Sequence, residues 1–553
     1  KVPYMNLIKI ETEKNAVLIL AAAYKAYDNS FISSEPFLNI GNTLIIERIK
    51  KNCTSKNNIY IAVNNFSNKL RELRSFDNCN FINVGSTLGV IDTIKKAIDY
   101  IQEDFINICP ITTIPDNQFT ETKSIYFGEN KISKENWSAI SYFNKTKVEY
   151  LFKEKEIHFE EKCYPFTGRI SSGKNNIRDA LKEINNDQMN DLLYLAKILI
   201  EKYDHSITHE KWYDAGHNTT YFETKISSFS SRFFNEIKYN HKRNSIIKVS
   251  KDTIKLEKEI NFYKNIPSEL KVFFPIFFTK DHQDKVNLEL EYLPFPNLAE
   301  IFLFRKIGAN RWETIVKSLF NIYSEFYLNN NSKKFFYNSS HLYSKKLKQR
   351  IDNLNKIVDG LNNKFLDKII NSGVKVNNNF LPSLKITYIK LQKKLKEIEK
   401  KRPLLFGHGD LCFNNILIES ISGSIKLIDP KADSIGDNKI GYVDPFYDLA
   451  KLNHSFRCFY DSIVNNMFSI SYEKDQYLLK IYKPFNYEVA NFYFQKIFLE
   501  KLIDKEILRI LTSNLFLSMI PLHKDDEQRM GVLLIIGISL FYDIDIKNYS
   551  LEI

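Results

Sequence analysis

The sequence predicts two folded units in series, an α/β unit built on a mainly parallel sheet and then an α+β unit. Three observations carry this prediction. The first 235 or so residues alternate between short apolar runs and segments of helical spacing, the pattern of βαβ construction. Near 225–245 the text changes to "KISSFSSRFFNEIKYNHKRN", a junction. Beyond it come strand, helix and strand patterns and then, from about residue 300, long helical patterns interrupted by "RPLLFGHGDLCFNNILIES" and "IKLIDPKAD". The expected boundaries are 1–235 for the first domain and 236–553 for the second, with a small lobe over 236–298 and a helical large lobe over 299–553.

In the first unit, "AVLILAAA" at 16–23 is a continuous apolar run, as a strand buried on both faces requires. "NTLIIERIKKN" has helical spacing, "NIYIAVNN" and "FINVG" read as strands, "GVIDTIKKAIDYIQ" as a helix and "DFINICPI" as a strand. In the second, "SIIKVS" and "VNLELEYL" read as strands flanking the helix "TIKLEKEINFYKNI".

Bulk properties narrow the function classes. A chain of 553 residues is too long for one hydrophobic core, and 44% hydrophobic and 14% aromatic content suffices for packed domains. The net charge of +12 is spread along the chain with no arginine-rich block, so no nucleic-acid partner is predicted. Six cysteines without a C-x-x-C pair read as reduced thiols. "AVLILAAA" follows Glu11 and Glu13 rather than a basic head, and "GVLLIIGISLF" at 531–541 is far shorter than the ~20 residues of a membrane helix. A soluble, cytoplasmic protein without an integral membrane segment is predicted.

The chemistry is concentrated in the 402–433 stretch. Phosphoryl transfer to a hydroxyl needs a carboxylate at the acceptor oxygen and oxygen ligands for Mg²⁺ on the nucleotide phosphates. In protein kinases an aspartate and an asparagine five residues later share one loop, and Asp410 and Asn415 have that separation. Asp429, closing the apolar run "IKLID", is placed to be the second metal ligand, and one amide and one carboxylate oxygen suit Mg²⁺.

"HGDLCFNNIL", "IKLIDP" and "DPFYDLAKL" resemble the aminoglycoside phosphotransferase and choline kinase group of small-molecule kinases. The resemblance implies Asp410 as catalytic base and Asn415 and Asp429 as Mg²⁺ ligands. It also implies Asp448, in Asp444 to Asp448, as a brace for the catalytic loop, and His408 as a support of loop geometry. Lys248 in "SIIKVS" takes the place of the phosphate-binding lysine. Glu259 on the following helix, or Glu257, would be its ion-pair partner. The backbone near Glu291, Tyr292 and Leu293 would meet adenine. No glycine-rich loop precedes Lys248. ATP and Mg²⁺ are the implied cofactors.

The first domain resembles the sugar-phosphate nucleotidyltransferases, with their Rossmann-like α/β fold, in "VLILAAAYKAYDNSFISSEPFLNIGNTLIIERI", "GSTLGVIDTIKKA", "FINICPITTI" and "KWYDAGHNTTYFETK". Its departures fall on chemistry. Ala23-Tyr24-Lys25-Ala26-Tyr27 stand where the family has a glycine-rich phosphate loop, and side chains there obstruct the approach of backbone N–H groups to a triphosphate. Glu35 precedes Pro36 where the family has lysine, and Pro110 or a neighbour replaces the first metal aspartate. Asp116 lies beyond the strand end, and Asp214 would be left as a lone metal ligand. The domain is therefore expected to be inactive.

The order of the two domains resembles fused proteins of bacterial surface-polysaccharide pathways. The resemblance implies an ATP- and Mg²⁺-dependent kinase acting on a hydroxyl of a small polar metabolite (a sugar, amino sugar or choline-like alcohol) in capsule or lipopolysaccharide biosynthesis, associated with polysaccharide-assembly enzymes. The alternatives are a bifunctional kinase and nucleotidyltransferase, or a non-catalytic scaffold.

Overall fold

The computed structural model describes residues 14–22, 38–41, 43–64, 68–130, 132–133, 138–143, 147–152, 162–216, 224–225, 235–240, 242–278, 286–328, 335–336, 339–361, 363–419, 422–431, 440–500 and 504–551. The altered phosphate loop Ala23 to Tyr27, the Glu35-Pro36 pair and most of the junction near 225–245 lie outside the described residues. The chain forms two compact units, one of residues 1–71 and 76–225, the other of 72–75 and 226–553.

The first unit is α/β. Its sheet is parallel at the centre, where Asn15–Leu20 pairs with Asn57–Val63 on one side and Phe105–Pro110 on the other. Cys79–Asn83 continues the parallel run next to Asn57–Val63. All six residues of Asn15–Leu20 are buried, so its apolar run from Ala16 to Leu20 reflects helices and sheet neighbours covering both faces. Antiparallel pairing enters at the twelve-residue strand Lys162–Gly173, which joins Phe105–Pro110 to Ala139–Phe143 and Ser124–Gly128. The helices Val90–Ala97 and Leu193–Tyr203 pack Ile91, Ile94, Leu195 and Leu199 into the same core.

The second unit is α+β. Its four-stranded antiparallel sheet has the order Asn235–Asn240, Ser245–Ser250, Leu288–Glu291 and Phe277–Phe278. The helix Thr253–Lys264 follows the second strand, capped by the Asp252 carboxylate accepting from the Lys255 amide. Long helices dominate the rest, including Ala309–Tyr327, Pro445–Arg457, Lys505–Met519 and Glu527–Phe541.

The expectation that helices after residue 299 are interrupted only by the 402–433 stretch is corrected. A further sheet of five strands joins Val374–Val376, Asn379–Leu381, Phe468–Glu473, Gln476–Tyr482 and Ser550–Leu551. Its central hairpin turns at Lys474 and Asp475, both with positive φ, as two-residue hairpin turns require. "GVLLIIGISLF" belongs to the buried helix Glu527–Phe541, and among the described residues no helix is long and apolar enough to cross a membrane.

Candidate active site

In the second unit, the loop 407–415 lies between the strand Pro403–Phe406 and the hairpin of Ile416–Ile418 with Ile425–Leu427. Two glycines permit its path. Gly409 has φ +77°, and a Cβ on Gly407 would overlap the Tyr327 hydroxyl. The loop is held from below by Asp448, a fully buried carboxylate on the helix Pro445–Arg457. Asp448 Oδ2 accepts from the amides of His408 (3.2 Å) and Gly409 (3.1 Å) and from the Tyr327 hydroxyl (2.5 Å). Its Oδ1 accepts from the Leu411 amide (3.3 Å).

Asp444 fixes the start of that helix. It caps through the Phe446 amide and pairs with Arg402 through two bonds of 2.8 and 3.0 Å. A buried charge survives only when bonded this fully, which is why both aspartates have several donors.

His408 is fully buried and bridges the loop to the strand that follows it. Its Nδ1 accepts from the Asp410 amide (3.2 Å), so the ring proton is on Nε2, which donates to the Ile428 carbonyl (2.9 Å). The Lys431 amide donates back to the His408 carbonyl (2.8 Å), and the Ile428 amide to the Asn415 carbonyl (3.0 Å). These bonds hold Asp429 beside the 410–415 segment. Asp429 is in the left-handed region at φ +52°, ahead of Pro430, an uncommon backbone state for a non-glycine residue.

Asn415 Nδ2 donates to the Asp410 carbonyl (2.9 Å) and to its Oδ2 (3.3 Å), which turns the amide oxygen of Asn415 the other way. That oxygen and the half-exposed Asp429 carboxylate are hard donors that fit Mg²⁺ completed by water and phosphate.

The expected phosphate-binding pair is also assembled. Lys248 Nζ lies 2.8 and 3.0 Å from the Glu259 carboxylate oxygens and 3.1 Å from Asp429 Oδ1. Glu259, not Glu257, is therefore the ion-pair partner. Burial would lower the Lys248 pKa, but Asp429 and Glu259 raise it, and the ammonium stays charged. At the expected adenine edge, the amides of Glu291 and Tyr292 donate to the carbonyls of Ile276 and Asn244 (both 2.9 Å). Among the described residues the Leu293 amide has no backbone partner.

Sequence reasoning missed Lys451. Its Nζ lies 2.8 Å from Asp410 Oδ1, and the residue is 9% exposed. Burial alone would raise the Asp410 pKa, but Lys451 more than offsets it, and the carboxyl is held down to about 2. The signal was present in the helix: Asp444, Asp448 and Lys451, spaced i, i+4 and i+7, form one charged face on an otherwise apolar segment.

In the first unit, Pro110 ends its strand beside Leu20. Asp214 is buried opposite Thr113, whereas Asp116 donates its amide to the Lys211 carbonyl and so lies three positions away along the pairing. Among the described residues no group of three or more His, Cys, Asp or Glu side chains is gathered to hold a metal.

No protein-family model matches the chain, and no curated protein matches it. Solved structures similar to it fall into two groups. An ADP-bound aminoglycoside phosphotransferase is 13% identical over 56% of this chain and 92% of its own, with a TM-score of 0.35. A UDP-glucose pyrophosphorylase in complex with UDP-glucose is 13% identical over 40% of this chain and 100% of its own, with a TM-score of 0.31. HddC from Yersinia pseudotuberculosis is 14% identical over 39% of this chain and 99% of its own, with a TM-score of 0.28.

Proposed function

We propose that the second unit is an ATP- and Mg²⁺-dependent kinase that phosphorylates a hydroxyl of a small polar metabolite. One observation carries the reading: Glu259 and Asp429 converge within 3.1 Å on the Lys248 ammonium, and the Asp410–Asn415 loop is bonded to the segment that leads into Asp429. A structural ion pair needs two partners. A lysine shared between a helix glutamate and a strained, half-exposed aspartate matches the demand of nucleotide phosphates and their metal.

In this reading Asp410 accepts the proton of the acceptor hydroxyl as that oxygen attacks the terminal phosphorus and the bond from that phosphorus to the bridging oxygen breaks, releasing ADP. Its low pKa keeps it ionised for that task at neutral pH. Lys248 binds nucleotide phosphate oxygens, Glu259 orients Lys248, and the Leu293 backbone meets the base. Asn415 and Asp429 would hold Mg²⁺, which neutralises phosphate charge when bound. Asp448 and His408 fix the loop that carries Asp410.

The first unit is proposed to be catalytically silent, since Pro110 occupies the strand end where a metal-binding aspartate would stand. A cytoplasmic role in capsule or lipopolysaccharide synthesis belongs to the same proposal. Thermal-shift measurement with Mg²⁺ and each of ATP, GTP, CTP and UTP tests it. Stabilisation by Mg·ATP that disappears in Lys248→Met supports the reading, and no response to any nucleotide contradicts it.

A further inference from the structure

We infer that Lys451 is a positioning residue for the transfer: it fixes the Asp410 carboxylate in the orientation that meets the acceptor hydroxyl. The inference rests on the kinase reading and adds to it a residue from outside the 402–433 stretch.

The helix Pro445–Arg457 grips the loop at two points. Asp448 holds its backbone through the amides of His408, Gly409 and Leu411. Three residues on, and so on the same side of the helix, Lys451 holds the proposed base, with Nζ 2.8 Å from Asp410 Oδ1. The other carboxylate oxygen, Oδ2, accepts from Asn415 Nδ2 at 3.3 Å. A carboxylate offers about four lone-pair sites, and these two donors take one on each oxygen. Held at both oxygens, the side chain is confined to one rotamer, while 38% of it stays exposed to receive a hydroxyl.

Asp410 is also what Lys451 is there to meet. The neighbouring Leu449, Ala450 and Leu452 are buried, and an ammonium is kept among such side chains only when it is paired. The other titratable groups on this part of the helix are committed elsewhere. Asp448 is taken by its four donors, and His454 Nδ1 lies 3.0 Å from the Ser455 hydroxyl with its ring stacked on Tyr460. Burial and then the Lys451 charge push the His454 pKa well down, so this ring stays neutral and does not compete for Asp410. Among the described residues Asp410 is the one carboxylate in ion-pair contact with Lys451.

Of the two donors, Asn415 orients Asp410 less firmly. Its contact is longer and neutral, and its amide oxygen is assigned to Mg²⁺, whereas the bond from Lys451 is charge-assisted. A base held by Asn415 alone would visit its other rotamers, and a misplacement of about 1 Å is worth ~10²-fold in rate.

The test is a double-substitution cycle on the full-length chain. ADP release from Mg·ATP is followed with glucose, glucosamine, glycerol, glycerol 3-phosphate or choline present and with water alone, and Mg·AMP-PNP binding is followed by calorimetry. Lys451→Met should lower kcat at least tenfold, toward about a hundredfold, with KM for ATP and the Mg·AMP-PNP affinity within about fivefold of the parent. In the Asp410→Asn background the same substitution should cost less than about fivefold, because the carboxylate through which Lys451 acts is gone. A general distortion of the loop would instead weaken nucleotide binding along with turnover, since Asn415 lies on the same loop. Should Lys451→Met fail to fold, the double variant removes charge and countercharge together and is compared with Asp410→Asn alone, the same fivefold limit deciding. A loss of kcat below tenfold in Lys451→Met, a loss above about fivefold on adding it to Asp410→Asn, or Mg·AMP-PNP binding weakened more than about fivefold overturns the inference and leaves the kinase reading standing. Asp410→Asn turning over at the parent rate, or a parent chain that releases no ADP, removes both.

Discussion

Replacing Asp448 by asparagine should loosen the catalytic loop at a cost that can be worked out from four bonds. The carboxylate is fully buried and receives three amides and one hydroxyl. An asparagine has one accepting oxygen, which at best replaces Oδ2 and its three donors. Its NH₂ group then faces the Leu411 amide, leaving a buried donor unmet at a cost of roughly 1–3 kcal/mol. The other three bonds fall from charge-assisted to neutral strength, about 0.5–1 kcal/mol each. The sum is about 2.5–6 kcal/mol, a large share of the stability of an ordinary domain. Urea unfolding reports it through Trp312, which is fully buried in the second unit, in a background with Trp137 and Trp212 replaced by Phe. With a denaturant slope of about 3 kcal/mol per molar, the midpoint should fall by roughly 0.8–2 M. Tyr327→Phe removes only one donor and should cost about 1 kcal/mol. A midpoint within roughly 0.2 M of the parent for Asp448→Asn would refute the reasoning, because the four bonds would then be doing little to hold the loop.

Asp461 is 1% exposed, and burial raises its pKa to about 7. The unfolded carboxyl titrates near 3.9, so between those values the folded chain binds the extra proton and stability falls as pH rises. Asp461→Asn should therefore stabilise the second unit at pH 8 by about 2–4 kcal/mol, with the gain vanishing toward pH 4; a pH-independent difference in unfolding midpoint would contradict this. Asp429→Asn and Lys248→Met should each weaken Mg·ATP binding at least tenfold in calorimetric titration, and parent-like affinity in Asp429→Asn removes its metal role. The first unit should release no pyrophosphate from any nucleoside triphosphate with sugar 1-phosphates. Release that persists in Asp410→Asn and disappears in Asp214→Ala would prove that unit active.

How much of this was legible in the sequence depended on whether a signal was local. The buried strands Asn15–Leu20 and Phe105–Pro110 were readable because two covered faces favour a mainly apolar run, interrupted here only by Asn15 and Asn107. The strand bearing Lys248 and the helix bearing Glu259 were readable from period and capping, but the choice between Glu259 and Glu257 was not. Two helix positions apart, they face different directions, and only Glu259 is turned to the sheet. The five-stranded sheet was missed because two of its strands have three residues and another has two, too short to show a period. Lys451 was missed because its partner lies 41 positions upstream.

The central claim, phosphoryl transfer with Asp410 as base, is tested most directly by ADP production from Mg·ATP. Parent and Asp410→Asn chains are compared over a panel of hydroxyl compounds that includes phosphorylated and acidic members. The account predicts that at least one compound stimulates ADP release by the parent and is recovered as its phosphate ester. Asp410→Asn should bind Mg·ATP with near-parent affinity yet turn over ~10²–10⁴-fold more slowly. Turnover by Asp410→Asn at the parent rate would contradict the account, and so would a parent chain that binds Mg·ATP but transfers phosphate to no compound on the panel.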